Sequence, residues 1–324
     1  MAKRDVATEI RTLARERILV LDGAWGTMIH GAGLAPEDYA GERFRAHPID
    51  VAGDPDVLNL TRPELVASIH ERYLAAGADI TTTNTFTATS IGQADYGLED
   101  AVYEMNVAGA RIAREAAGDR FVAGSVGPLN VALSLSPKVD DPSFRSKTFD
   151  EVKEAYAEQF RALAEGGVDV FLLETIFDTQ NAKAAIAAAR ETAPEVPLWI
   201  SATIVDLSGR TLSGQTIEAF WVSVEHADPL IVGINCSLGA KEMRPYVAEL
   251  SRLAPCLTSA HPNAGLPNAF GGYDETAAET SALLGEFARA GFLNIAGSCC
   301  GSTPEHTAAI AAAVRGVPPR VVPE

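Results

Sequence analysis

The sequence has few positive charges for its length. Lys and Arg number 26 among 324 residues, against 43 Asp and Glu, which gives a formal net charge of −17. A charge of this sign argues against broad attraction to nucleic acid or to an anionic membrane surface. The chain is therefore expected to bind neither.

Cysteines are also scarce, and no targeting or membrane segment is evident. Four cysteines in a chain of this length make no disulfide framework, which favours a reduced, cytoplasmic setting. No apolar run approaches the roughly 18 residues that a membrane span needs. Residues 1–17 are charged and amphipathic, without the apolar region and cleavage site of a secretory signal. We expect them to form an N-terminal helical extension.

Short apolar runs alternate with segments of helical periodicity along residues 18–316. The candidate strands are 18–24, 78–85, 121–127, 168–174, 198–204, 230–236, 256–260 and 292–297. The candidate helices are 63–76, 100–117, 150–165, 179–192, 216–226, 240–253, 275–290 and 304–314. Eight strand–helix units predict an α/β fold, a single-domain (β/α)8 TIM barrel over residues 18–316. The alternative is an open doubly wound sheet, but no Gly-x-Gly-x-x-Gly turn follows the first strand.

Two long irregular stretches, 31–59 and 130–147, follow the first and third candidate strands. Loops of this length in a compact domain are usually functional or mobile. In a barrel both lie on the C-terminal face, where active sites form.

Three of the cysteines lie at strand ends. Cys236 ends the sixth candidate strand, and Cys299 and Cys300 follow the eighth, so a barrel brings all three to one rim. Three thiolates with one open position are typical of a catalytic zinc site. Neighbouring residues of a strand point to opposite faces, so the pair must leave extended geometry, which the flanking Gly297 and Gly301 permit. The alternative is ordinary buried cysteines. Residue 256, at the opposite end of the barrel, is interpreted as core packing.

Two carboxylates also lie at predicted strand ends, Asp22 after the first strand and Glu174 after the fourth. Together they are suited to hold an ammonium group through charge-assisted hydrogen bonds. Gly23 and Gly26 would let backbone N–H groups approach a carboxylate closely. An amine, a carboxylate and a metal-seeking thiol together describe an amino-acid thiol. The structural alternative for both acids is loop capping or pairing with a barrel arginine.

Asn84 and His261, near the ends of the second and seventh strands, are polar residues on the same predicted rim. Each is equally interpreted as an ordinary hydrogen-bonding residue, because a single histidine more often has that role.

Several motifs resemble those of the homocysteine S-methyltransferases. They are Asp22-Gly23-Ala24-Trp25-Gly26-Thr27-Met28, Asn84-Thr85-Phe86, Gly233-Ile234-Asn235-Cys236 and Gly297-Ser298-Cys299-Cys300-Gly301. Three further segments resemble the cobalamin-dependent methionine synthases of that family: 208–215, 260–268 and 177–184. The resemblance covers roughly residues 15–316, and the paired-cysteine motif is its most specific part.

The resemblance implies zinc-dependent activation of the homocysteine thiol for methyl transfer from methylcobalamin, giving methionine. The residues implied as zinc ligands, and hence as catalytic, are Cys236, Cys299 and Cys300. Those implied as homocysteine contacts are Asp22, Gly23, Gly26, Thr27, Asn84, Glu174 and Asn235. Asp22 and Glu174 match positions that hold the amino group, and Asn263 matches one that supplies an exchangeable zinc ligand.

The same resemblance implies partner domains. Methylcobalamin would be carried on a separate domain, and the cobalamin-binding and folate-binding domains of the same enzyme are absent from this chain. The proline-rich residues 317–324 resemble a linker toward the folate domain. One alternative is a homocysteine S-methyltransferase that uses S-methylmethionine or betaine. Others are a non-catalytic zinc- or homocysteine-binding module and a phosphate-binding barrel, for which two adjacent cysteines are ill suited.

The sequence departs from that family's pattern at three places. Trp25 stands where a methionine or a similar apolar residue is usual, and Thr82 stands where many relatives have glutamate. The loop 127–131 is apolar where relatives often have Thr and Arg. None of these positions is a predicted zinc ligand.

Overall fold

The computed structural model describes residues 5–323. Residues 1–4 of the predicted N-terminal extension and Glu324 of the predicted linker lie outside this range. The described strands are β1 (Leu19–Val20), β2 (Ile80–Thr82), β3 (Phe121–Val126), β4 (Val170–Ile176), β5 (Leu198–Ala202), β6 (Ile231–Gly239), β7 (Leu257–Asn263) and β8 (Ile295–Ala296).

The eight strands form one parallel sheet in the order β1-β8-β7-β6-β5-β4-β3-β2. A parallel bridge between Leu21 and Ile80 joins the two ends of that order. The backbone N–H of Asp22 donates to the Ile80 carbonyl at 3.0 Å beside this bridge. The sheet therefore closes on itself, and the predicted (β/α)8 barrel is confirmed.

Helices follow the strands in the predicted alternation. They are α1 (Val6–Glu16), α2 (Trp25–Gly31), α3 (Pro36–Ala40), α4 (Leu58–Thr61), α5 (Pro63–Ala75), α6 (Ser90–Gln93), α7 (Val102–Ala117), α8 (Phe149–Gly166), α9 (Thr179–Thr192), α10 (Ile217–Val224), α11 (Ala240–Leu253), α12 (Ala277–Arg289) and α13 (Pro304–Val314). Short 3-10 turns occupy Ala94–Tyr96, Glu99–Ala101 and Glu225–Ala227. No helix in the described chain combines the length and the apolarity that crossing a membrane requires.

The elements form where the local signals place them. Thr148 begins α8: its hydroxyl accepts from the Glu151 N–H at 3.2 Å, and the Glu151 carboxylate accepts the Thr148 N–H at 2.8 Å. Gly167 ends the helix in the left-handed conformation. Stretch 31–59 differs from the irregular loop expected, because Pro36 begins the short helix α3.

The barrel has an inner core and an outer one. Along β4, Val170 and Leu172 pack inside the barrel, whereas Phe171 and Leu173 pack outward against the helices. This alternation follows from the two-residue period of a strand. Ile10 and Ala14 of α1 join the inner cluster, so α1 covers the open end of the barrel opposite the strands' C-terminal ends.

The C-terminal segment packs against the same end of the barrel that α1 covers. Arg320 is only 4% exposed, and its guanidinium donates to the carbonyls of Ser251, Ala254 and Cys256 at 2.5–2.8 Å. Arg320 thus anchors the predicted linker to the barrel. Whether it leads toward a folate domain stays a prediction.

Candidate metal and substrate site

Three cysteine sulfurs meet at the C-terminal end of the barrel. The Sγ atoms of Cys236 and Cys300 are 3.7 Å apart, and those of Cys299 and Cys300 are 3.9 Å apart. All three lie within 4.8 Å of one another. The cysteines are free thiols in this structure. These distances show that the three thiols converge on one rim, as the sequence predicted.

Local backbone distortion aims Cys236 at the other two. The pairing of β6 with β7 shifts register between Asn235 and Gly239, and Cys236 has a φ of 60°. A non-glycine residue with a positive φ is strained and persists only where its surroundings hold it. β6 therefore continues past Cys236, three residues further than predicted, with a bulge that turns the thiol toward the rim.

Cys299 and Cys300 lie in a turn that follows β8 after Gly297 and Ser298. The chain has left the extended conformation there, so both thiols can face Cys236. The Cys299 N–H donates to the Pro262 carbonyl at 2.7 Å, and the Gly301 N–H donates to Thr27 Oγ1 at 3.1 Å. Gly301 has a φ of 82°, and a Cβ on it would overlap Tyr273 Cβ. Glycine is thus needed there for conformation and for space.

Gly297 serves this turn in a different way from the one expected. Its φ is not in the left-handed region, but a Cβ on it would lie 2.7 Å from Leu21 Cβ. Gly297 therefore allows close packing of β8 against β1, and the left-handed conformation comes from Gly301.

The thiols influence one another's protonation. Hydrogen bonds from the thiols of Cys236 and Cys299, with a further one from Tyr273, hold the pKa of Cys300 well below its usual value. Hydrogen bonds with Cys236 and Cys300, together with burial, raise the pKa of Cys299. Three thiols this close cannot all ionise without a cation between them, which is the electrostatic condition that a bound metal ion satisfies.

A cavity of about 640 Å³ opens beside the sulfurs. Its lining includes most of the predicted site residues: Asp22, Gly23, Gly26, Thr27, Asn84, Glu174, Cys236, Cys299 and Cys300. The lining also includes residues to which the sequence analysis assigned no role, among them Trp25, Thr175, Phe177 and Tyr273. No lysine or arginine lines the cavity within the described residues.

Asp22 and Glu174 are the two acids of the cavity. Asp22 accepts from the Thr82 N–H at 2.7 Å, and Glu174 Oε1 accepts from Ser125 Oγ at 2.5 Å. Burial raises the pKa of each carboxyl to about 7. With no basic side chain on the cavity wall, the arginine pairing considered from the sequence is not observed, and a cationic ligand would restore their charge.

Asn84 lines the cavity, but its amide is engaged elsewhere. Its Nδ2 donates to the Pro55 carbonyl at 2.7 Å, which ties the loop before α4 to the end of β2. His261 lies deeper, with Nε2 4.0 Å from Glu174 Oε2. Burial lowers the pKa of His261 to about 3, so its ring is neutral and is no acid–base candidate at neutral pH.

Two predicted site residues lie behind the cavity wall. Asn235 is fully buried: its Oδ1 accepts from the Thr175 N–H at 2.9 Å and from Ser201 Oγ at 2.7 Å. Asn263 Oδ1 accepts from the Cys300 N–H at 3.1 Å. The structure thus brings neither side chain to the cavity surface. Asn235 supports the residue after Glu174, and Asn263 supports the cysteine turn.

Solved structures share this fold. The homocysteine methyltransferase MmuM from Escherichia coli, in its oxidized form, superposes with a TM-score of 0.74 at 21% identity, over 96% of this chain and 99% of that one. Its metallated form superposes with a TM-score of 0.71 at 23% identity, over 93% and 98% of the two chains.

The family is established by sequence. The family model described as homocysteine S-methyltransferase matches residues 19–314. That range runs from β1 to the end of α13 and contains all three cysteines and both acids of the cavity. The chain belongs to the homocysteine S-methyltransferase family.

Proposed function

We propose that this barrel binds zinc through Cys236, Cys299 and Cys300 and activates the thiol of homocysteine for methyl transfer from methylcobalamin, giving methionine. The observation that carries the proposal is the position of the three sulfurs, 3.7 and 3.9 Å apart, on the wall of the cavity that also holds Asp22 and Glu174. In this proposal the chain is the homocysteine module of a cobalamin-dependent methionine synthase.

The sulfur geometry fits zinc. A tetrahedral ion with Zn–S bonds of about 2.3 Å places its sulfur ligands about 3.8 Å apart. The observed separations of 3.7 Å between Cys236 and Cys300 and 3.9 Å between Cys299 and Cys300 match that value. Three thiolates from the protein leave the fourth position for a thiol from the substrate. Asn263 Oδ1 accepts from the Cys300 N–H at 3.1 Å, so it would have to turn from that bond toward the sulfurs to serve as the exchangeable ligand when substrate is absent.

When bound, zinc would keep a coordinating thiol deprotonated at neutral pH. A free thiol of this kind has a pKa near 8.5, so only about 3% is thiolate at pH 7. Attack on a methyl group needs no further proton transfer, which agrees with a cavity that has no histidine able to titrate near neutral pH. The three cysteines hold the metal, and the turn between Gly297 and Ser302 orients two of them.

The remaining cavity residues suit the amino-acid end of homocysteine. Asp22 and Glu174 would hold the ammonium group, which restores the charge of two carboxyls whose pKa burial has raised. Gly26 and Thr27 lie in the first turn of α2, and Ala24, the residue before it, has no side-chain oxygen to cap that turn. The N–H groups there would donate to the substrate carboxylate.

Gly23 allows the chain to enter that turn. A Cβ on Gly23 would lie 2.8 Å from both Ser302 Oγ and a ring carbon of Tyr73. The segment that leads into α2 is therefore packed directly against the cysteine turn.

The choice of methyl donor rests on sequence resemblance, whereas the zinc site rests on the positions of the sulfurs. Segments 208–215 and 260–268 resemble the cobalamin-dependent methionine synthases and so favour methylcobalamin on a separate domain, with cobalamin-binding and folate-binding partner domains. The scarcity of cysteines favours a cytoplasmic setting. A second candidate is a homocysteine S-methyltransferase that uses S-methylmethionine or betaine. Membership of the homocysteine S-methyltransferase family supports this candidate equally.

The proposal is tested by zinc content and proton release. We expect about one zinc per chain in the wild type, loss of that zinc in Cys299→Ala, and release of protons as homocysteine binds. Cys256→Ala is the matched control, because Cys256 is a free cysteine remote from the site. Wild-type protein that stays free of zinc after reconstitution would overturn the proposal.

Donor choice needs a separate assay. Zinc-loaded protein is given homocysteine with methylcobalamin, S-methylmethionine or betaine, and methionine is measured. Methionine formed only with S-methylmethionine or betaine supports the second candidate. Binding of zinc and homocysteine without methionine from any donor supports a non-catalytic module.

A further inference from the structure

The carboxylate of Asp22 ends a chain of hydrogen bonds that begins at the indole of Trp25. Trp25 Nε1 donates to Thr82 Oγ1 at 2.9 Å, and Thr82 Oγ1 lies 3.1 Å from both carboxylate oxygens of Asp22. An indole N–H can only donate, so the Thr82 oxygen accepts from Trp25. The single Thr82 proton is then left for Asp22, and the indole sets the direction of that hydroxyl.

A second chain of hydrogen bonds reaches Asp22 from His70. The His70 Nδ1 lies 2.7 Å from Thr81 Oγ1, which donates to Asp22 Oδ2 at 3.0 Å. Since the Thr81 proton goes to Asp22, the ring must donate from Nδ1. The rings of Trp25 and His70 pack edge to face with centroids 4.6 Å apart. The side chains at the start of the two hydrogen-bond chains therefore pack against each other.

These contacts distinguish the two oxygens of Asp22. Oδ2 accepts from the Thr82 N–H at 2.7 Å and also lies within reach of both threonine hydroxyls. Oδ1 is contacted by the Thr82 hydroxyl alone. Oδ1 thus keeps accepting capacity for a ligand, and every group that hydrogen-bonds to the carboxylate is a donor.

We propose that Trp25 is a positioning residue for the amino group of homocysteine. Through Thr82 it holds the Asp22 carboxylate with Oδ1 free to accept the substrate's ammonium. The inference rests on the proposed function, in which Asp22 binds that ammonium. Trp25 also lines the cavity, and its part in binding is the hydrogen bond that it donates, in addition to the surface of its ring.

The test compares two ligands that differ only in the amino group. Binding of homocysteine and of 4-sulfanylbutanoate, which lacks the amine, is measured by calorimetry on zinc-loaded protein. The variants are Trp25→Phe and Thr82→Val, which remove the N–H and the hydroxyl, with Thr82→Ser to retain the hydroxyl. Trp221→Phe is the matched control, because Trp221 is a buried tryptophan of α10 outside the cavity lining.

We expect Trp25→Phe and Thr82→Val each to weaken homocysteine binding about threefold to tenfold, the range of one net hydrogen bond. Affinity for 4-sulfanylbutanoate stays unchanged, and Thr82→Ser and Trp221→Phe bind both ligands as the wild type does. In turnover assays the loss appears in KM and leaves kcat. Equal loss for both ligands, or no loss for homocysteine, overturns the inference.

Asp22→Asn separates this inference from the proposal on which it rests. If Asp22→Asn weakens homocysteine but not the analogue, while Trp25→Phe and Thr82→Val have no effect, only the role of Trp25 is overturned. If Asp22→Asn affects neither ligand, the amino group is held elsewhere, and the proposed role of Asp22 falls together with the inference.

Discussion

The side-chain amide of Asn235 holds Thr175 at two points. Its Oδ1 accepts the Thr175 N–H at 2.9 Å, and its Nδ2 donates to Thr175 Oγ1 at 2.8 Å. Thr175 has a φ of 57°, which is unusual for a β-branched residue. The two bonds stabilise that conformation and fix the direction of the preceding carboxylate, Glu174.

Asn235→Ala is therefore expected to affect stability and substrate binding together. The variant leaves Thr175 strained and Ser201 without its acceptor, which should lower the free energy of unfolding by about 2–4 kcal/mol. Homocysteine affinity should fall while zinc content is retained. Urea unfolding and calorimetry check this, with Asn130→Ala as the control because its amide bonds only Asp95 at the surface. Unchanged homocysteine affinity would contradict the link to Glu174.

Gly301→Ala should disrupt the cysteine turn. The added Cβ meets Tyr273 at a position that also needs a left-handed φ. Gly167→Ala is the matched control, since Gly167 is left-handed with a φ of 91° but has open space around its Cα. We expect the control to lose about 1 kcal/mol and Gly301→Ala to lose more, together with its zinc. Zinc content equal in the two variants would show that Tyr273 does not restrict this turn.

The Asp22 carboxyl predicts a pH dependence of stability without substrate. Burial raises its pKa from 3.8 to about 7 in the folded protein, so the folded state binds the proton more tightly than the unfolded state. The contribution is fully present below about pH 4 and is lost as pH rises to about 7, by up to roughly 4 kcal/mol. Asp22→Asn should flatten this part of the profile. Unfolding free energies at pH 5 and pH 8 measure the difference, and equal slopes in both proteins would refute it.

Arg320 predicts a stability effect remote from the site. Its guanidinium serves three carbonyls near the C-terminal end of α11 while being almost fully buried. Arg320→Ala leaves those carbonyls without a donor and should cost about 2–4 kcal/mol. Zinc and homocysteine binding should not change, because the site lies at the opposite end of the barrel. Exposed Arg315 provides the control variant Arg315→Ala, and an equal effect in both would exclude the anchoring role.

Much of the fold was predictable because its signals are local. The strands read as short apolar runs and the helices as amphipathic segments with caps, as at Thr148 and Gly167. Each strand was found within a few residues of its position. β1 ends at Val20, four residues before its predicted end, whereas β6 and β7 extend to Gly239 and Asn263, three residues beyond the apolar runs that marked them. The extension of β6 and β7 has a physical reason. Polar residues continue these strands through a bulge, which hydrophobic periodicity does not report.

The site was predictable only in part. Cys236, Cys299 and Cys300 stand at strand ends, and the parallel barrel requires those ends to meet. Asn235 was expected at the substrate, yet it lies behind Thr175, because whether a strand residue faces the cavity or its support depends on the bulge. Tyr273 had no local signal, since it reaches Gly301 from a different loop.

The order of elements, the closure of a parallel barrel and the rim that carries the three thiols follow from the sequence, because periodicity, caps and strand direction are properties of neighbouring residues. The way in which Asp22 is held depends on tertiary contacts. The chain from Trp25 through Thr82 to Asp22 joins residues 57 and 60 positions apart, and hydrogen bonds between such distant residues depend on how β1 and β2 pack side by side. Burial, which shifts the pKa of Asp22 and Glu174, is likewise a property of the assembled barrel.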